Sequence, residues 1–429
     1  MKITYLTHAC LLIKAGKTNI ITDPWLTGPS WGGTLWHFPY HKFTPKNLPV
    51  PDIIFFSHGH DDHFHEQTIN NFPKTWFKAK IIAPNYKEKW WREGLESKFK
   101  NIHYINHNKT ISLKENIKFQ VFINDGGSVD SSIKITHNKT SCFLQSDNLL
   151  SIKEAKRIRN LGKIDVAFMM PYLTGIFPAF YKWSKKEMVK LGRIKKNKSI
   201  NYCANLISKL KPNLIIPYAV DLGTLGKNFY ANFIHDNNKK DFLNYVKKKK
   251  ISNKSMILNP GNFIEFSEGN LINKKITEYK FNKKEFLKFR KKYTSKLNSF
   301  EQNERKLEKI GNSEKLKILG NFIETLKISL NSKYNFNVLF QIKVNKSKNF
   351  KFLIDLKNKK ILKEKAIPKL FIPKLIIFTE YFKIANLVKK KYPMNFMTFH
   401  NGAITCQRQS VDLSKEEEKF WNWIYNLAF

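Results

Sequence analysis

Three histidines and a carboxylate lie within one short segment that follows an apolar run. Residues 53–56 are typical of a buried strand, and they lead directly into Ser57-His58-Gly59-His60-Asp61-Asp62-His63. Gly59 permits a tight turn after the strand, so that imidazoles and a carboxylate can converge on one point. Imidazole nitrogens and carboxylate oxygens bind zinc, iron and manganese in proteins. The spacing therefore predicts one or two divalent metal ions, with zinc as the first expectation and iron or manganese as alternatives.

The residues of this segment divide between two expected metal positions. His58 and His60 are expected at one position, and Asp62 and His63 at a second position a few ångströms away, as in two-metal hydrolytic sites. The competing interpretation is a polar loop that is merely rich in histidine. Four of the 12 histidines fall within positions 58–65, which makes coincidence a poor explanation.

The H-x-H-x-D-H pattern at positions 58–63 resembles the fingerprint of the metallo-β-lactamase fold superfamily. The resemblance implies an α/β fold, an αββα sandwich that binds metals at the edge where its two sheets meet. It further implies that Asp23 supports the ligand loop and that Asp147 bridges the metals. His8, at the end of the first expected strand, is interpreted either as a substrate contact near the metal cleft or as a structural histidine.

Two histidines that such a fold is expected to carry are missing. Asn124 and Asp125 follow the apolar run at residues 119–123, and Asp221 stands close after the run Leu214–Pro217. Either these residues supply oxygen ligands or the site holds a single metal. Fewer imidazoles and more carboxylates suit Fe(II) and other harder metals better than zinc.

Roles for the individual carboxylates follow from this vacancy. Asp125 is expected as a metal ligand, with the role of general base as the alternative. Asp62 and Asp125 are the expected catalytic carboxylates. Asn124 and Asp221 are otherwise expected to contact the substrate or to hold the ligands in place.

Several further motifs resemble the CMP-N-acetylneuraminate hydroxylase family and its bacterial relatives. They are Leu26-Thr27-Gly28-Pro29, Asp125-Gly126-Gly127-Ser128-Val129-Asp130-Ser131, Met170-Pro171-Tyr172-Leu173-Thr174-Gly175 and Pro217-Tyr218-Ala219. The resemblance implies iron-dependent oxidation of a nucleotide sugar. The sequence has no Cys-x-His…Cys-x-x-His pair for the Rieske cluster of that family, so a separate electron donor is expected if this chemistry applies.

Three functions are compatible with these motifs, in the following order. The first is a metal-dependent hydrolase of an anionic small-molecule ester, amide or phosphoester, in which Asp62 or Asp125 handles the proton. The second is an iron-dependent, oxygenase-related enzyme that acts on a nucleotide sugar. The third is an RNA- or DNA-binding, nuclease-related protein, which ranks last because the histidines typical of such nucleases are missing and no recognition module is evident.

The chain of 429 residues carries a formal net charge of +42, from 76 Lys and Arg against 34 Asp and Glu. Dense lysine attracts polyanions such as nucleic acids and anionic membranes. Lysine is abundant throughout the chain, however, and a general drift toward lysine explains the charge without any dedicated patch. An anionic small-molecule substrate is compatible with both explanations.

Cysteine usage and hydropathy bear on the location of the protein. The 4 cysteines, Cys10, Cys142, Cys203 and Cys406, form no C-x-x-C pair, which argues against a disulfide framework or a zinc ribbon and favours a reducing cytoplasm. The N-terminal residues alternate like a strand, so no signal peptide is expected. Prolines and charged residues interrupt the apolar stretch at residues 367–387, so no transmembrane segment is expected.

Three regions are predicted along the chain. Residues 1–270 alternate apolar runs with turn residues, as strands of the sandwich domain would. Residues 271–332 combine Lys and Glu with apolar residues at helical spacing, which predicts a helical connector. Residues 333–429 predict a small α+β domain that resembles sterol-carrier-protein-like lipid-binding domains, with helices at residues 373–389 and 415–427 and a strand at residues 398–400.

An aromatic segment separates the first strands from the metal motif. Residues 25–40 include three Trp, a Phe and a Tyr among Gly and Pro. Such a hydrophobic loop requires a structural or functional reason. We interpret it either as a lid over the substrate or as a segment buried against the connector or the C-terminal domain.

Overall fold

The computed structural model describes residues 1–126, 128–172, 175, 177–251, 254–330, 335–345, 348–390, 404–408, 414–425 and 427. Its strands are β1 Lys2–Thr7, β2 Cys10–Ala15, β3 Thr18–Thr22, β4 Leu35–His37, β5 Ile53–Phe55, β6 Lys80–Pro84, β7 Ile102–Ile105, β8 Thr110–Ser112, β9 Ile117–Ile123, β10 Ser131–His137, β11 Thr140–Leu144, β12 Val166–Met169, β13 Leu214–Pro217, β14 Leu222–Thr224, β15 Phe263–Ser267, β16 Asn270–Lys275, β17 Asn337–Lys343, β18 Asn349–Asp355, β19 Lys360–Lys363, β20 Leu375–Glu380 and β21 Ile404–Arg408. Its α-helices are α1 Glu66–Asn70, α2 Lys89–Glu96, α3 Ile152–Asn160, α4 Lys185–Leu210, α5 Asn232–His235, α6 Lys239–Lys248, α7 Lys283–Glu304, α8 Asn312–Ile328, α9 Tyr381–Lys390 and α10 Lys415–Tyr425.

Two sheets face each other in the N-terminal part of the chain. The first has eight strands in the order β16-β15-β1-β2-β3-β5-β6-β7, and the second has six in the order β13-β12-β11-β10-β9-β8. Apolar side chains from both inner faces form one core, with Ile13 and Phe55 on one side and Phe119 and Phe143 on the other. Because β5 lies between β3 and β6 and is covered on both faces, its three residues are all buried.

Helices cover the outer faces of both sheets. On the first sheet, Ile69 of α1 and Trp91 of α2 pack against Ile54 and Phe56. On the second sheet, α3, α4 and α6 contribute their apolar faces to the core. These four layers confirm the expected αββα sandwich. No helix within the described ranges is both long and apolar enough to cross a membrane.

The region predicted as a helical connector, residues 271–332, contains helices α7 and α8 among its described residues, after the sandwich sheet has continued through β16 to Lys275. Within the aromatic segment, β4 pairs with β14, and Trp36 and Phe38 pack against Phe286, Phe289 and Tyr293 of α7. We call residues 30–38 the flap. Much of its aromatic surface is thus buried against α7, which was one of the two interpretations of this segment.

The C-terminal part forms a five-stranded sheet in the order β19-β18-β17-β20-β21 with helices packed against it. The prediction of a helix over residues 373–389 is wrong in its first half. Residues Leu375–Glu380 form strand β20, because its alternating buried side chains allow parallel pairing with β17, and the helix begins at Tyr381. The strand predicted at residues 398–400 lies outside the described residues.

Candidate metal centre

Asp23 fixes the start of the histidine loop. Since β3 and β5 are parallel neighbours, the residues that follow them meet at the same edge of the sheet. The Asp23 carboxylate accepts hydrogen bonds from the backbone N–H and the hydroxyl of Ser57, each at 2.7 Å. Its Oδ2 also lies 2.9 Å from Nδ1 of His63. Asp23 therefore holds both ends of the loop in place.

One nitrogen of His58 and one of His63 are engaged by neighbours that orient the ring. His58 Nδ1 lies 2.8 Å from the Ser57 hydroxyl, and His63 Nδ1 is held by Asp23. The Nε2 atoms of both rings are thereby directed toward the carboxylate of Asp147, at 3.7 Å from His58 and 3.4 Å from His63. Neighbours that fix the orientation and tautomer of a ring in this way are the rule around metal-binding histidines.

His60 completes a cluster with a second carboxylate. Its Nδ1 lies 2.7 Å from Nε2 of His58 and 3.3 Å from Oδ2 of Asp147. Oδ1 of Asp130 approaches Nε2 of His58 at 3.6 Å from another direction. The described part of the chain contains three groups of potential metal ligands, and within each group the ligand atoms lie within 4.8 Å of one another. The groups are His8, Asp62 and His63; His58, His63 and Asp147; and His58, His60 and Asp130.

Asp62 pairs with His8. The two side chains are buried, and His8 Nε2 lies 3.1 Å from Asp62 Oδ2. His8 has a φ of +44°, a conformation that is unfavourable for a non-glycine residue and is often found at functional sites. The backbone carbonyl of His8 lies 2.9 Å from the Tyr5 hydroxyl. The hairpin between β1 and β2 thus delivers an imidazole to the edge of the site.

Opposing charges set the protonation of the cluster. Burial lowers the pKa of His58, and the imidazoles of His63 and His60 lower it further. Burial also acts to lower the pKa of His63, but the carboxylates of Asp147 and Asp23 outweigh it and raise that pKa well above its usual value. Burial acts to raise the pKa of Asp147, yet His63 and the other imidazoles hold it well below its usual range. The carboxylates therefore require positive charge beside them, as a proton or as a metal cation.

The cluster is open to solvent on one side. The side chains of His58 and His63 are fully buried, whereas those of His60, Asp130 and Asp147 are 16%, 12% and 24% exposed. The indole ring of Trp31 in the flap lies 5.4 Å from the His60 ring, centroid to centroid. The exposed side of the cluster therefore lies next to the flap.

Asp125 and Asn124 are not brought into the cluster, contrary to the sequence prediction. Asp125 Oδ1 accepts a hydrogen bond from the backbone N–H of Ser151 at 3.2 Å, just before α3. Burial acts to raise the pKa of Asp125, but its hydrogen bonds, those with Ser151 first, together lower that pKa. Asn124 accepts from the Gly126 N–H and donates to Asn148. Both side chains therefore stabilise the loop between β9 and β10.

Asp221 is not brought among the potential ligand atoms, although a place there was one of its two expected roles. It is 3% exposed, and its Oδ2 lies 2.7 Å from the ammonium of Lys239 and within hydrogen-bond distance of the Tyr5 hydroxyl. Burial lowers the pKa of Lys239, and Asp221 opposes that shift. This ion pair lies beneath His8 and supports the hairpin that carries it.

Asp130 is the carboxylate that the sequence prediction missed. It stands directly before β10, and the hydroxyl of the next residue, Ser131, donates to the carbonyl of Ser57 at 2.7 Å. This contact brings the end of the β9–β10 loop beside the beginning of the histidine loop. Asp130 was visible in the motif that contains Asp125, but only the pairing of β9 with β10 shows which of the two faces the histidines.

The residues present match what a divalent metal requires. Nε2 of His63, Oδ1 of Asp130 and Oδ1 of Asp62 are buried without a hydrogen-bond partner among the described residues. A buried polar atom without a partner is costly, and coordination of a cation removes that cost. Imidazoles with carboxylates form a mixed donor set that suits zinc, iron and manganese.

Comparison with known proteins agrees with the fold and the motif. The family model for the beta-lactamase superfamily domain matches residues 2–219, which is about half of the chain. The chain belongs to the metallo-β-lactamase superfamily. The matched residues include strands β1 to β13 and all the residues of the cluster, whereas β15 and β16 of the first sheet lie beyond them.

Within the superfamily, this domain is similar to cytidine monophosphate-N-acetylneuraminic acid hydroxylases. The Xenopus laevis protein is 26% identical over 234 residues, which are 51% of this chain and 38% of that protein. The Danio rerio protein is 27% identical over 226 residues, 51% of this chain and 37% of that protein. The chain thus spans well under half the length of these curated relatives.

Solved structures with similar folds include both hydroxylases and hydrolases. CmlA, a diiron beta-hydroxylase from Streptomyces venezuelae, is 15% identical with a TM-score of 0.43, covering 60% of this chain and 53% of that one. An isothiocyanate hydrolase from Delia radicum gut bacteria is 13% identical with a TM-score of 0.44, covering 62% of this chain and 99% of that one. At these identities and TM-scores, neither similarity bears on the reaction.

Proposed function

We propose that the chain is a metal-dependent hydrolase of an anionic small molecule, with two adjacent metal positions. The observation that carries this proposal is that two groups of potential ligands share no residue: His58, His60 and Asp130 belong to one group, and Asp62 and His63 belong to another. Nε2 of His58 and Nε2 of His63 both approach the carboxylate of Asp147, so the two groups are neighbours, as in two-metal hydrolytic enzymes. The two oxygens of Asp147 face different imidazoles, which suits a bridging ligand.

Metal ions bound there would lower the pKa of coordinated water and polarise the scissile bond. Asp62 and His8 are the pair to which we assign the movement of the proton, because His8 Nε2 lies 3.1 Å from Asp62 Oδ2, which leaves Asp62 Oδ1 for the metal. Asp23 and Ser57 keep His58 and His63 in position. Asp125 has no part in the proposal, since its carboxylate lies at Ser151.

The substrate enters on the open side formed by His60, Asp130 and Asp147. The formal net charge of +42 favours the approach of an anion by long-range attraction. The flap, whose Trp31 ring lies near His60, covers the bound substrate and limits the access of water. An ester, amide or phosphoester with an acidic substituent is therefore the class that we propose.

The experiment that tests hydrolysis combines metal content with turnover. The purified chain is assayed by elemental analysis and against chromogenic carboxylic esters, phosphomonoesters, phosphodiesters and lactones that carry an acidic group. The variant His60→Ala is compared with the control His103→Ala, whose side chain is exposed on β7. We expect bound metal, hydrolysis of at least one class and loss of both in His60→Ala alone. Unchanged turnover by metal-free protein would refute the proposal.

A second candidate is iron-dependent hydroxylation, and the similarity to the hydroxylases over half of the chain favours it. The carboxylates Asp130 and Asp147 in the donor set are compatible with iron. Such a reaction consumes oxygen and needs electrons from a separate protein or chemical reductant. Oxygen-dependent formation of a hydroxylated cytidine nucleotide sugar by the iron-loaded chain with ascorbate as reductant, lost in His60→Ala, would favour this candidate. Hydrolysis of a substrate in the absence of oxygen would favour the metal-dependent hydrolase.

A further inference from the structure

The C-terminal part of the chain presents two aliphatic side chains almost completely to solvent. Leu370 is 95% exposed and Ile372 is 72% exposed, although both are large hydrophobic residues. They lie in the connection between β19 and β20, which we call the 367–374 loop. Single exposed aliphatic residues are common, but two at this exposure within three positions of one loop call for a partner.

The loop holds these side chains outward by its own structure. The N–H of Phe371 donates to the carbonyl of Pro368 at 3.0 Å, which closes a turn with Leu370 at its tip. On the far side, the N–H of Lys374 donates to the Asn337 side chain at 2.8 Å, and this ties the loop to the start of β17. Two prolines, at positions 368 and 373, restrict the backbone further. The exposed pair is therefore presented by a constrained turn.

Positive charge surrounds the exposed pair. Residues 357–374 include seven lysines and one acidic residue, Glu364. That glutamate lies 3.0 Å from the ammonium of Lys351, so it does not neutralise the loop. Lys363, Lys365 and Lys369 are all exposed. Two exposed aliphatic side chains surrounded by lysines are complementary to a partner surface that has an apolar region bordered by negative charge.

We propose that the 367–374 loop docks the chain on anionic lipid bilayers, with Leu370 and Ile372 inserted among the acyl chains and the neighbouring lysines on the headgroups. A bilayer has an apolar interior directly beneath charged headgroups, so it can accept the aliphatic side chains and the lysines of the loop at the same time. Nucleic acid fits less well, because single strands are bound by aromatic stacking and the exposed residues here are aliphatic. Such docking would confine the metal centre to substrates at or near a membrane surface.

The test is co-sedimentation of the full chain with vesicles of phosphatidylcholine, with and without phosphatidylserine. We expect binding to the phosphatidylserine vesicles, weakened by added salt. The net positive charge of the whole chain also attracts it to anionic vesicles. The decisive variant is therefore the one that changes Leu370 and Ile372, because nonspecific attraction does not depend on these side chains. Leu370→Gln/Ile372→Gln is expected to weaken binding by about tenfold or more. The control Ile272→Gln removes an aliphatic side chain that is 60% exposed on β16, and it should bind as the unaltered chain does.

A second pair of variants tests the lysines. Lys365→Gln/Lys369→Gln should weaken binding by about 30-fold, which corresponds to about 1 kcal/mol for each of the two lysines near an anionic surface. The control Lys284→Gln/Lys291→Gln removes the same charge from exposed positions on α7 and should have a smaller effect. Absence of binding, or binding that survives Leu370→Gln/Ile372→Gln, would overturn the proposal. So would binding of a short RNA that the same variants abolish while vesicles fail to bind.

Discussion

The backbone N–H of Trp31 donates to Oδ2 of Asp61 over 2.6 Å, and this bond joins the flap to the histidine loop. Asp61 is the residue of the H-x-H-x-D-H segment for which the sequence analysis assigned no role. Through this bond, the position of the indole ring above His60 depends on the loop that carries His60 itself.

We therefore predict that Asp61→Ala loosens the flap without emptying the metal centre. A hydrogen bond to a charged acceptor contributes about 1.5–3 kcal/mol, so amide hydrogens of residues 30–38 should exchange roughly tenfold faster or more. Hydrogen exchange followed by mass spectrometry measures this, and elemental analysis measures the metal. Asp61→Asn, which retains a neutral acceptor, should have a smaller effect. Unchanged exchange in Asp61→Ala would show that the bond does not restrain the flap.

Gly33 is a second point at which the flap depends on its surroundings. Its φ is +89°, and a Cβ there would lie 2.1 Å from a ring carbon of Phe300 in α7. Gly33→Ala should lower the free energy of unfolding by about 1–3 kcal/mol through strain and overpacking. The matched control is Gly320→Ala, which meets no atom within 4 Å on an exposed turn of α8 and should stabilise by about 1 kcal/mol. Urea denaturation distinguishes the two signs, and a stabilising Gly33→Ala would contradict the packing of the flap on α7.

The ion pair between Asp221 and Lys239 gives a test of the support beneath His8. Asp221→Asn leaves a buried ammonium without its carboxylate, which should cost about 3–5 kcal/mol of stability. The double variant Asp221→Asn/Lys239→Met should recover part of that loss, because it removes the unpaired charge. Urea denaturation of the two single variants and the double variant measures the coupling. Strictly additive losses would mean that the pair is not coupled.

His41 gives the chain a predictable dependence on acid. Burial lowers the pKa of His41 to about 4, against about 6.5 in the unfolded chain. The unfolded state therefore binds more protons between these values, and the contribution of His41 makes the folded state less stable as the pH falls through that window. Between pH 7.5 and pH 5 the loss attributable to His41 is roughly 2 kcal/mol. In His41→Gln the free energy of unfolding should fall by that much less over the same range, and an identical slope would show that His41 is not buried as a neutral base.

The histidine loop was predictable because the residues that form it are close together in the sequence. Four apolar residues followed by His58, Gly59 and His60 specify a strand end and a turn without reference to the rest of the chain. Asp23 could be assigned to this loop only by resemblance, although its position after the neighbouring parallel strand is a direct consequence of the sheet order.

The choice between Asp125 and Asp130 could not be made from the sequence. Ser131 pairs with Ile123, and the Asn124 N–H donates to the Asp130 carbonyl at 2.8 Å, so the β9–β10 ladder continues as far as Asp130. Asp125 lies beyond the ladder and turns toward α3. Strand register is a tertiary property, and the apolar pattern of either strand alone does not contain it.

The strand β20 illustrates the same limit. Residues 373–389 carry enough apolar residues at helical spacing to suggest one helix, but the parallel pairing of Leu375–Glu380 with β17 decides for a strand. The aromatic segment at residues 25–40 likewise gave no preference between a lid and a buried segment, since only the position of α7 shows that Trp36 and Phe38 are covered.

The most direct measurement of the central claim is the metal content of Asp130→Ala beside that of Asp125→Ala. Both variants remove one carboxylate from the same loop, so the comparison cancels general effects of charge and loop stability. With Asp130 in the donor set and Asp125 at Ser151, Asp130→Ala should bind metal at least 10- to 100-fold more weakly than the unaltered chain, and Asp125→Ala should retain it. Full metal content in Asp130→Ala together with loss in Asp125→Ala would contradict the metal centre described above.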